Sequence, residues 1–466
     1  MLVFQEIQER HIAYLQRYYA NCRYHLCEYA VGTKLMWRDY LHPSFAETAG
    51  CLVVQNNIGG EVMFDYPIPS DGGDEIAALC AIEHDCAEKE VPLVFSVVPE
   101  EKISLLLARY PRCTVQHPRA WCDYLYRAED LRSFPGRKYS AQRNYVNRFY
   151  RQYPAEFRVL HSGDKDLVEA FWRDYESVFA KEEVSAKNEL QYAKRMLKLL
   201  GNPQFFAGGL MLDGRLISLS FAERAGDMLI IHIEKALYAY DGVYPTTVRE
   251  FAGMFASEGV NYVNREDDAG NRGLRISKTQ YLPCALGEKY RISVENELYA
   301  LDGVRPFGSE RLILRPIEEA DRTAYTAMCL DEARNRYWGY DYRDDWHGET
   351  PEDYFLDVAQ HDFAKKIALN LAITLKDGTF IGEAILYHFT GSGEAELGCR
   401  IAKDFAANGY GTEAFAAVAD WAIYHLQLRT VVAKCFKENA ASLRMLASCM
   451  KKNGEDETYF YFKKDC

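Results

Sequence analysis

The stretch DFAANGYGTEAFAAVADWA, residues 404–422, places two glycines one residue apart just before a run with helical spacing of apolar side chains. A glycine turn at a helix start brings unpaired backbone N–H groups and the positive end of the helix dipole together, which suits phosphate. Glycines open helices more often for backbone reasons, so the motif alone is a weak signal. The candidate phosphate ligands are Asn408, Gly409, Tyr410, Gly411 and Thr412.

Two other stretches concentrate cations in a chain whose net charge is −13. The first, FPGRKYSAQRNYVNRFYRQYP, has no acid between Ser133 and Ala155, and the second is NREDDAGNRGLRISKTQYLP. Each has a plain structural alternative, namely a solvated linker helix and a salt-linked turn. Phosphate binding is the sharper interpretation. Its candidate ligands are Lys138, Arg143, Arg265, Arg272, Arg275 and Lys278.

Composition limits the class of protein. A chain of 466 residues has room for about three packing units, and 48% hydrophobic residues can fill their cores. The 13 cysteines are scattered without CxxC pairs, which favours reduced thiols over disulfides or a zinc site. The start of the chain mixes charges into an amphipathic pattern, and there is no long apolar run. We therefore expect a cytoplasmic protein with no membrane span and no metal.

The elements that would position these residues recur along the chain. Asp213-Gly214 and Asp377-Gly378 each separate two apolar strands, as in a tight hairpin. Downstream of each hairpin come a glycine turn, a helical run, a strand and then an Asn before a Leu-Arg pair, at Asn271 and Asn439. The repeated order predicts duplicated mixed α/β units with helix N-termini facing a ligand.

From Arg311 to about Phe462 the chain resembles the GCN5-related N-acetyltransferases (GNAT), in particular the branch that acetylates N-termini of ribosomal proteins. The resemblance lies in SERLILRPIEEAD, GTFIGEAILY, GYGTEA and ENAASLRML, in that order. It implies acetyl-CoA as acetyl donor, with the pyrophosphate on the backbone N–H groups of residues 408–412. The pantetheine arm would lie along Cys399 to Ile401, and Asn439 would hold it.

The same resemblance suggests provisional catalytic roles. Glu396 is the candidate base, acting directly or through water, and Ser442 is the candidate proton donor to the departing thiolate. The alternatives are an ordinary exposed strand carboxylate for Glu396 and a helix first-turn cap for Ser442. Two positions depart from the family pattern: Ala406 stands where Arg or Gln is common, and Ala447 where many members carry a Tyr acid.

From Met1 to about Glu297 the two basic stretches resemble the soluble C-terminal domain of lysylphosphatidylglycerol synthases and its stand-alone bacterial relatives. That domain consists of two acetyltransferase-like folds in tandem, related to transferases that use aminoacyl-tRNA. The resemblance predicts an α/β (α+β) protein of three acetyltransferase-like mixed-sheet lobes, at residues 1–134, 135–299 and 306–466, the first two forming a tandem unit. In the central lobe Pro245 replaces the second glycine, so we assign no CoA there.

Three hypotheses follow. In the first, the C-terminal lobe transfers acetyl from acetyl-CoA to a primary amine, of a protein N-terminus or a small molecule, and the tandem lobes bind the acceptor or a second acyl donor. In the second, the tandem lobes carry out aminoacyl-tRNA-dependent transfer and bind tRNA. In the third, the tandem lobes are a non-catalytic binding module.

Overall fold

Three sheets of eight strands each follow one another along the chain in the computed structural model, which describes residues 1–179 and 191–466. We call them the first, central and C-terminal sheets. They confirm the α/β class and the three mixed-sheet lobes that the sequence predicted. In the described part of the chain, no helix is both long and apolar enough to cross a bilayer.

Most neighbouring strands in these sheets are consecutive in sequence, and a few come from distant parts of the chain. In spatial order, the first sheet contains Gln5–Glu6, Ser44–Thr48, Cys51–Ile58, Glu61–Asp65, Val94–Pro99, Lys289–Val294 and Cys113–Gln116, with Ile68–Pro69 beside Cys51–Ile58. The central sheet contains Arg215–Leu216, Phe205–Leu212, Ser218–Ala225, Met228–Ala236, Tyr262–Asn264, Asp123–Arg127 and Ala285–Gly287, with Glu156–Val159 beside Phe205–Leu212. The C-terminal sheet contains Phe307–Gly308, Leu312–Pro316, Leu369–Leu375, Phe380–Tyr387, Glu394–Ile401, Thr430–Phe436, Tyr459–Asp465 and Lys451–Glu455.

Helices cover the faces of these sheets. Before the central sheet is complete, the chain forms Ile12–Tyr19, Val31–Met36, Arg38–Leu41, Glu75–Glu88, Glu100–Arg109, Ala128–Ser133, Ser140–Gln152, Lys165–Phe179, Val243–Phe255 and Arg272–Thr279. The C-terminal lobe adds Arg322–Leu330, Glu332–Asn335, Pro351–Ala364, Tyr410–His425 and Ala440–Cys449. Short 3-10 turns join several of them, at Glu9–His11, Arg119–Trp121, Arg137–Tyr139, Ser162–Asp164, Met196–Leu199, Glu297–Ala300, Glu319–Asp321, Tyr342–Asp345 and Lys403–Phe405.

The first two lobes exchange strands. Asp123–Arg127, at the end of the predicted first lobe, lies in the central sheet, whereas Lys289–Val294, at the end of the predicted second lobe, lies in the first sheet. One buried apolar cluster extends from Leu52 and Phe95 of the first sheet to Leu219 of the central one. The C-terminal sheet has a core cluster of its own. Residues 1–299 therefore form one interlocked unit, and a single cut near residue 134 would not separate its two sheets.

Each sheet also has the same internal plan. Among the described strand pairs, each sheet has one parallel pair, and all its other pairs are antiparallel. A helix connects the two parallel strands in every case: Glu75–Glu88, Val243–Phe255 and Tyr410–His425. This shared plan is the structural basis of the repeat seen in the sequence.

Candidate functional site

The glycine loop of the C-terminal lobe forms an uncapped helix N-terminus. Gly409 precedes the helix Tyr410–His425 with a φ of 78°, a left-handed conformation that suits glycine, and no side chain caps this helix end. Ala407 also lies in the left-handed region, at a φ of 63°. A helix N-terminus of this kind presents backbone N–H groups and the positive end of the helix dipole, which can bind an anion.

Arg311 supplies a cation beside this loop that the sequence did not single out. Its Nη1 donates to the carbonyl of Asn408 at 3.0 Å, and its guanidinium lies 4.6 Å from the ring centre of Tyr410. Its Nε donates to Glu413 in the first helical turn at 2.6 Å. Ala406 offers no charge in this loop, and Arg311 provides one from just before the strand Leu312–Pro316.

The strand before the loop separates from its parallel neighbour. Glu394–Ile401 pairs with Thr430–Phe436 only through its first three residues, ending with Glu396 opposite Val432. Both strands continue beyond that pair, so among the described residues the backbone groups from 397 to 401 have no strand partner on this side. An extended amide-containing ligand can pair with such an open edge.

The helix Ala440–Cys449 closes the other side of this opening. The side-chain carbonyl of Asn439 caps it by accepting from the backbone N–H of Ser442 at 3.1 Å. Burial raises the pKa of Cys435, and a hydrogen bond with Ser442 partly offsets that effect, which places the Ser442 hydroxyl against the neighbouring strand. Burial raises the pKa of the Cys399 thiol to about 12, which favours the protonated thiol at neutral pH.

Glu396 lies at the point where the two strands separate. It is buried, not exposed, and it accepts hydrogen bonds from Tyr387 at 2.7 Å, His388 at 3.3 Å and Lys434 at 3.4 Å. Burial alone would raise the pKa of Glu396, but these three neighbours together lower it below its ordinary value. The carboxylate is therefore anionic at neutral pH and holds one imidazole nitrogen.

His388 also borders a cavity of about 100 Å³ between the first lobe and the C-terminal lobe. Glu83, Glu90 and Ala87 line the cavity from the first lobe, and Thr390 lines it from the C-terminal lobe. Charged contacts bring the lobes together nearby, because His84 lies 2.8 Å from Glu394. Neither His388 nor this cavity was singled out from sequence, since their walls come from segments about 300 residues apart.

In the other two sheets, protein groups fill the place beside the end of the parallel strand pair. In the first sheet the ammonium of Lys34 lies 2.5 Å from the Asp65 carboxylate, at the last parallel pair. In the central sheet Glu223 accepts from His232 at 2.9 Å and from the backbone N–H of Gly32 at 2.6 Å. The helix Val31–Met36 thus contributes to filling both positions, so only the C-terminal pair is open among the described residues.

The central glycine turn is also filled. Gly242 precedes the helix Val243–Phe255 with a φ of 84°, but a side chain there would meet the Tyr145 carbonyl at 2.7 Å. This glycine therefore serves the packing of the helix Ser140–Gln152. The two glycine turns look alike in sequence, but a helix backbone packs against Gly242, whereas the atom nearest to a Cβ at Gly409 would be Nη2 of Arg311 at 3.4 Å.

The structure brings the two basic stretches together. Tyr139 donates to the Tyr281 carbonyl at 3.0 Å, and Gln142 donates to the Gln280 carbonyl at 2.6 Å. Most of the candidate cations already have protein partners: Lys138 with Asp130, Arg143 with the carbonyls of Phe134 and Gly136, Arg265 with Glu234, Arg275 with Asp268, and Lys278 with the carbonyls of Arg265 and Asp267. Arg272 is exposed at the start of its helix. Ser140 is the first residue of the helix Ser140–Gln152, whose N-terminus has no side-chain cap.

Comparison with protein families divides the chain in two. The family described as phosphatidylglycerol lysyltransferase, C-terminal, matches residues 19–293, and the acetyltransferase (GNAT) domain matches residues 311–450. These matches confirm both resemblances. Comparison with curated proteins finds no matching relative.

Solved structures give further matches. A conserved protein of unknown function from Bacteroides thetaiotaomicron is 26% identical, with a TM-score of 0.58, over 63% of this chain and 100% of its own. A GNAT-family acetyltransferase from Bacillus anthracis is 19% identical over 34% of this chain and 98% of its own, with a TM-score of 0.30. RimJ of Mycobacterium smegmatis, solved with CoA-disulfide, is 21% identical over 33% of this chain and 82% of its own, with a TM-score of 0.29.

Proposed function

The chain belongs to the phosphatidylglycerol lysyltransferase C-terminal family and carries a GNAT domain, and we propose that the GNAT domain transfers acetyl from acetyl-CoA to a primary amine. The observation that carries this proposal is the open parallel pair of the C-terminal sheet, which ends at an uncapped helix N-terminus. The corresponding positions of the other two sheets hold protein groups.

The residues around this opening fit the donor. Backbone N–H groups of residues 408–412 and the Arg311 guanidinium would hold the pyrophosphate, and the open edge at Cys399 and Ile401 would hold the amide arm. The amide nitrogen of Asn439 remains for the same arm, because its carbonyl caps the last helix. Acetyl-CoA supplies an acetyl group activated as a thioester.

The acceptor amine must lose a proton to attack a carbonyl carbon. A carboxylate whose pKa is lowered is a weak base, so Glu396 acts by orienting His388, and the imidazole of His388 takes the proton. Ser442 provides a hydroxyl for the departing thiolate. The anionic Glu396 beside Tyr387 and Tyr340, whose rings are 4.9 Å apart, also suits a cationic amine.

A part for the tandem unit in this reaction is supported by the cavity beside His388, because residues of both units line it. We expect Ala87→Trp, which fills the cavity, to raise the KM for the acceptor severalfold and to leave acetyl-CoA binding unchanged. Glu88→Trp, one residue further on the same helix and outside the cavity lining, is the control. An equal rise of the acceptor KM in both variants would show that the cavity takes no part in acceptor binding.

Calorimetric titration of acetyl-CoA into the full chain tests the proposal directly. Micromolar-range affinity is expected, as is thiol release with some member of a panel of small amines and peptide N-termini. Arg311→Ala should weaken acetyl-CoA binding about tenfold, since a charge-assisted contact contributes roughly 1.5 kcal/mol. Arg305→Ala is the control. Absence of binding to the full chain would overturn the proposal.

A second candidate function is aminoacyl-tRNA-dependent transfer by the tandem unit. It is favoured by the contact between the two basic stretches through Tyr139 and Tyr281. Filter binding with charged and uncharged tRNA distinguishes it, because preference for the charged form would place an acyl donor in this unit. Equal or no binding would leave the tandem unit as the acceptor-binding part.

A further inference from the structure

The chain passes between the first and central sheets at two crossovers that lie side by side. Residues 117–122 lead from the strand Cys113–Gln116 to the strand Asp123–Arg127. Glu288 is the single residue between the strands Ala285–Gly287 and Lys289–Val294. His117 and Cys122 on the first crossover meet Glu288 on the second.

The three side chains present one nitrogen, one sulfur and one oxygen to a common point. Nε2 of His117 lies 2.5 Å from the Glu288 carboxylate and 3.6 Å from Sγ of Cys122, and this sulfur lies 3.1 Å from the same carboxylate. In a tetrahedral zinc site the corresponding ligand atoms are about 3.3 to 3.6 Å apart, given zinc bonds of about 2.0 to 2.3 Å. Only the carboxylate must move, by less than about 1 Å.

We propose that His117, Cys122 and Glu288 bind one Zn²⁺ ion that joins the two crossovers. The ligand set is the mixed nitrogen, sulfur and oxygen set that zinc accepts, and a water molecule completes the tetrahedron. On binding, the Cys122 thiol loses its proton to solvent and forms the Zn–S bond, and the neutral imidazole and the carboxylate bind without further loss. This proposal is independent of the proposed acetyl transfer.

The surroundings of the three ligands are suited to this role. Cys122 is buried, whereas the side chains of His117 and Glu288 are 36% and 26% exposed, so an ion can reach them from solvent. The ring of Tyr290 stacks on that of His117 at 4.3 Å and fixes its plane.

A neighbouring cluster provides an internal contrast. Cys27, Glu28 and Asp123 also come together. The ammonium of Lys289 lies among them, 2.7 Å from both carboxylates and 3.4 Å from the Cys27 sulfur. A built-in cation therefore occupies that cluster, whereas no ammonium or guanidinium forms an ion pair with Glu288 among the described residues. In the proposal, Zn²⁺ supplies to the first cluster the positive charge that Lys289 supplies to the second.

Spacing along the chain could not predict this site, because Cys122 and Glu288 are 166 residues apart. Zinc at this point would connect the start of one exchanged strand to the start of the other. Metal affinity would therefore add directly to the stability of the tandem unit.

The experiment uses the full chain, purified without metal and titrated with Zn²⁺. We expect one equivalent to bind at micromolar concentration or tighter and to raise the unfolding midpoint. Cys122→Ser and His117→Ala should each weaken binding at least tenfold. Cys113→Ser, at the start of the strand that leads into the same crossover, should bind as the parent does.

Co²⁺ provides a readout that does not depend on stability. A thiolate-to-cobalt charge-transfer band that is present in the parent and in Cys113→Ser, and absent in Cys122→Ser, would support the site. Zinc binding that is unchanged in Cys122→Ser, or a parent that binds no zinc at micromolar concentration, would overturn the proposal and leave a hydrogen-bonded cluster only.

Discussion

Gly411→Ala tests the proposed phosphate cradle without disturbing the fold. The added Cβ would lie 3.4 Å from Cγ1 of Ile401 and 3.6 Å from Sδ of Met445, which are ordinary contacts. Gly411 does not have a positive φ, and alanine favours a helix over glycine by roughly 0.5 to 1 kcal/mol. We therefore expect the unfolding midpoint of the variant to equal or slightly exceed that of the parent.

The methyl group would nevertheless occupy the crevice between Ile401 and Met445, where the donor should lie. Loss of one charge-assisted hydrogen bond to a phosphate costs about 1.5 to 3 kcal/mol, which is about a 10- to 100-fold rise in Kd. Titration calorimetry with acetyl-CoA measures this change, and a thermal melt of the same sample confirms folding. Gly409→Val is less informative, because a φ of 78° strains the backbone of any branched residue.

Gly253→Ala is the matched control. Gly253 lies within the helix Val243–Phe255, and a Cβ there would have no neighbour within 4 Å. It should gain similar helix stability and bind acetyl-CoA as the parent does. If Gly411→Ala is as stable as this control and also binds acetyl-CoA with the affinity of the parent, the cradle is refuted.

Three further outcomes are expected. Glu396→Gln should lower turnover in a thiol-release assay about 100-fold and leave the Kd of acetyl-CoA within twofold; an unchanged rate would remove this carboxylate from the reaction. Burial by itself would lower the pKa of His232, but its contacts with Glu223 and Glu266 raise that pKa from 6.5 to about 9. The protonated imidazole therefore stabilises the fold fully below about pH 6.5, and this stabilisation is lost as pH rises through 9. Melts of His232→Gln should therefore differ most from the parent near pH 6, and a gap that widens towards pH 9 would contradict this sign. The fragment 306–466 should fold and bind acetyl-CoA, whereas the fragment 1–134, which lacks the strand Lys289–Val294, should not fold by circular dichroism.

The sequence predicted best those features that depend on a few adjacent residues. Asp213 and Gly214 both have a positive φ, as a tight hairpin turn requires, and the strands around them pair. Asn271 and Asn439 each cap the helix that follows, because a side-chain carbonyl three residues back reaches an unpaired N–H group. Such geometry is local, so the repeated pattern was enough to mark the hairpin turn and the two asparagines, although it did not indicate that each Asn caps a helix.

Features set by distant segments were not predictable in the same way. The burial of Glu396 depends on the two strands beside its own, and its partner His388 lies across a turn. Arg311 reaches the loop from a segment about 100 residues earlier. Whether a glycine turn is open to a ligand also depends on packing. A carbonyl of another helix fills the turn at Gly242, and no carbonyl fills the one at Gly409.

The exchanged strands impose an order on synthesis. The strand Val94–Pro99 leaves the ribosome early, but its partner Lys289–Val294 emerges only after the whole central lobe has been made. Until then the first sheet has an unpaired edge with a buried apolar face behind it, the kind of surface that recruits other chains. The nascent protein therefore spends most of the synthesis of its second lobe with its first lobe incomplete, and rapid translation or a chaperone that covers that edge would favour its yield.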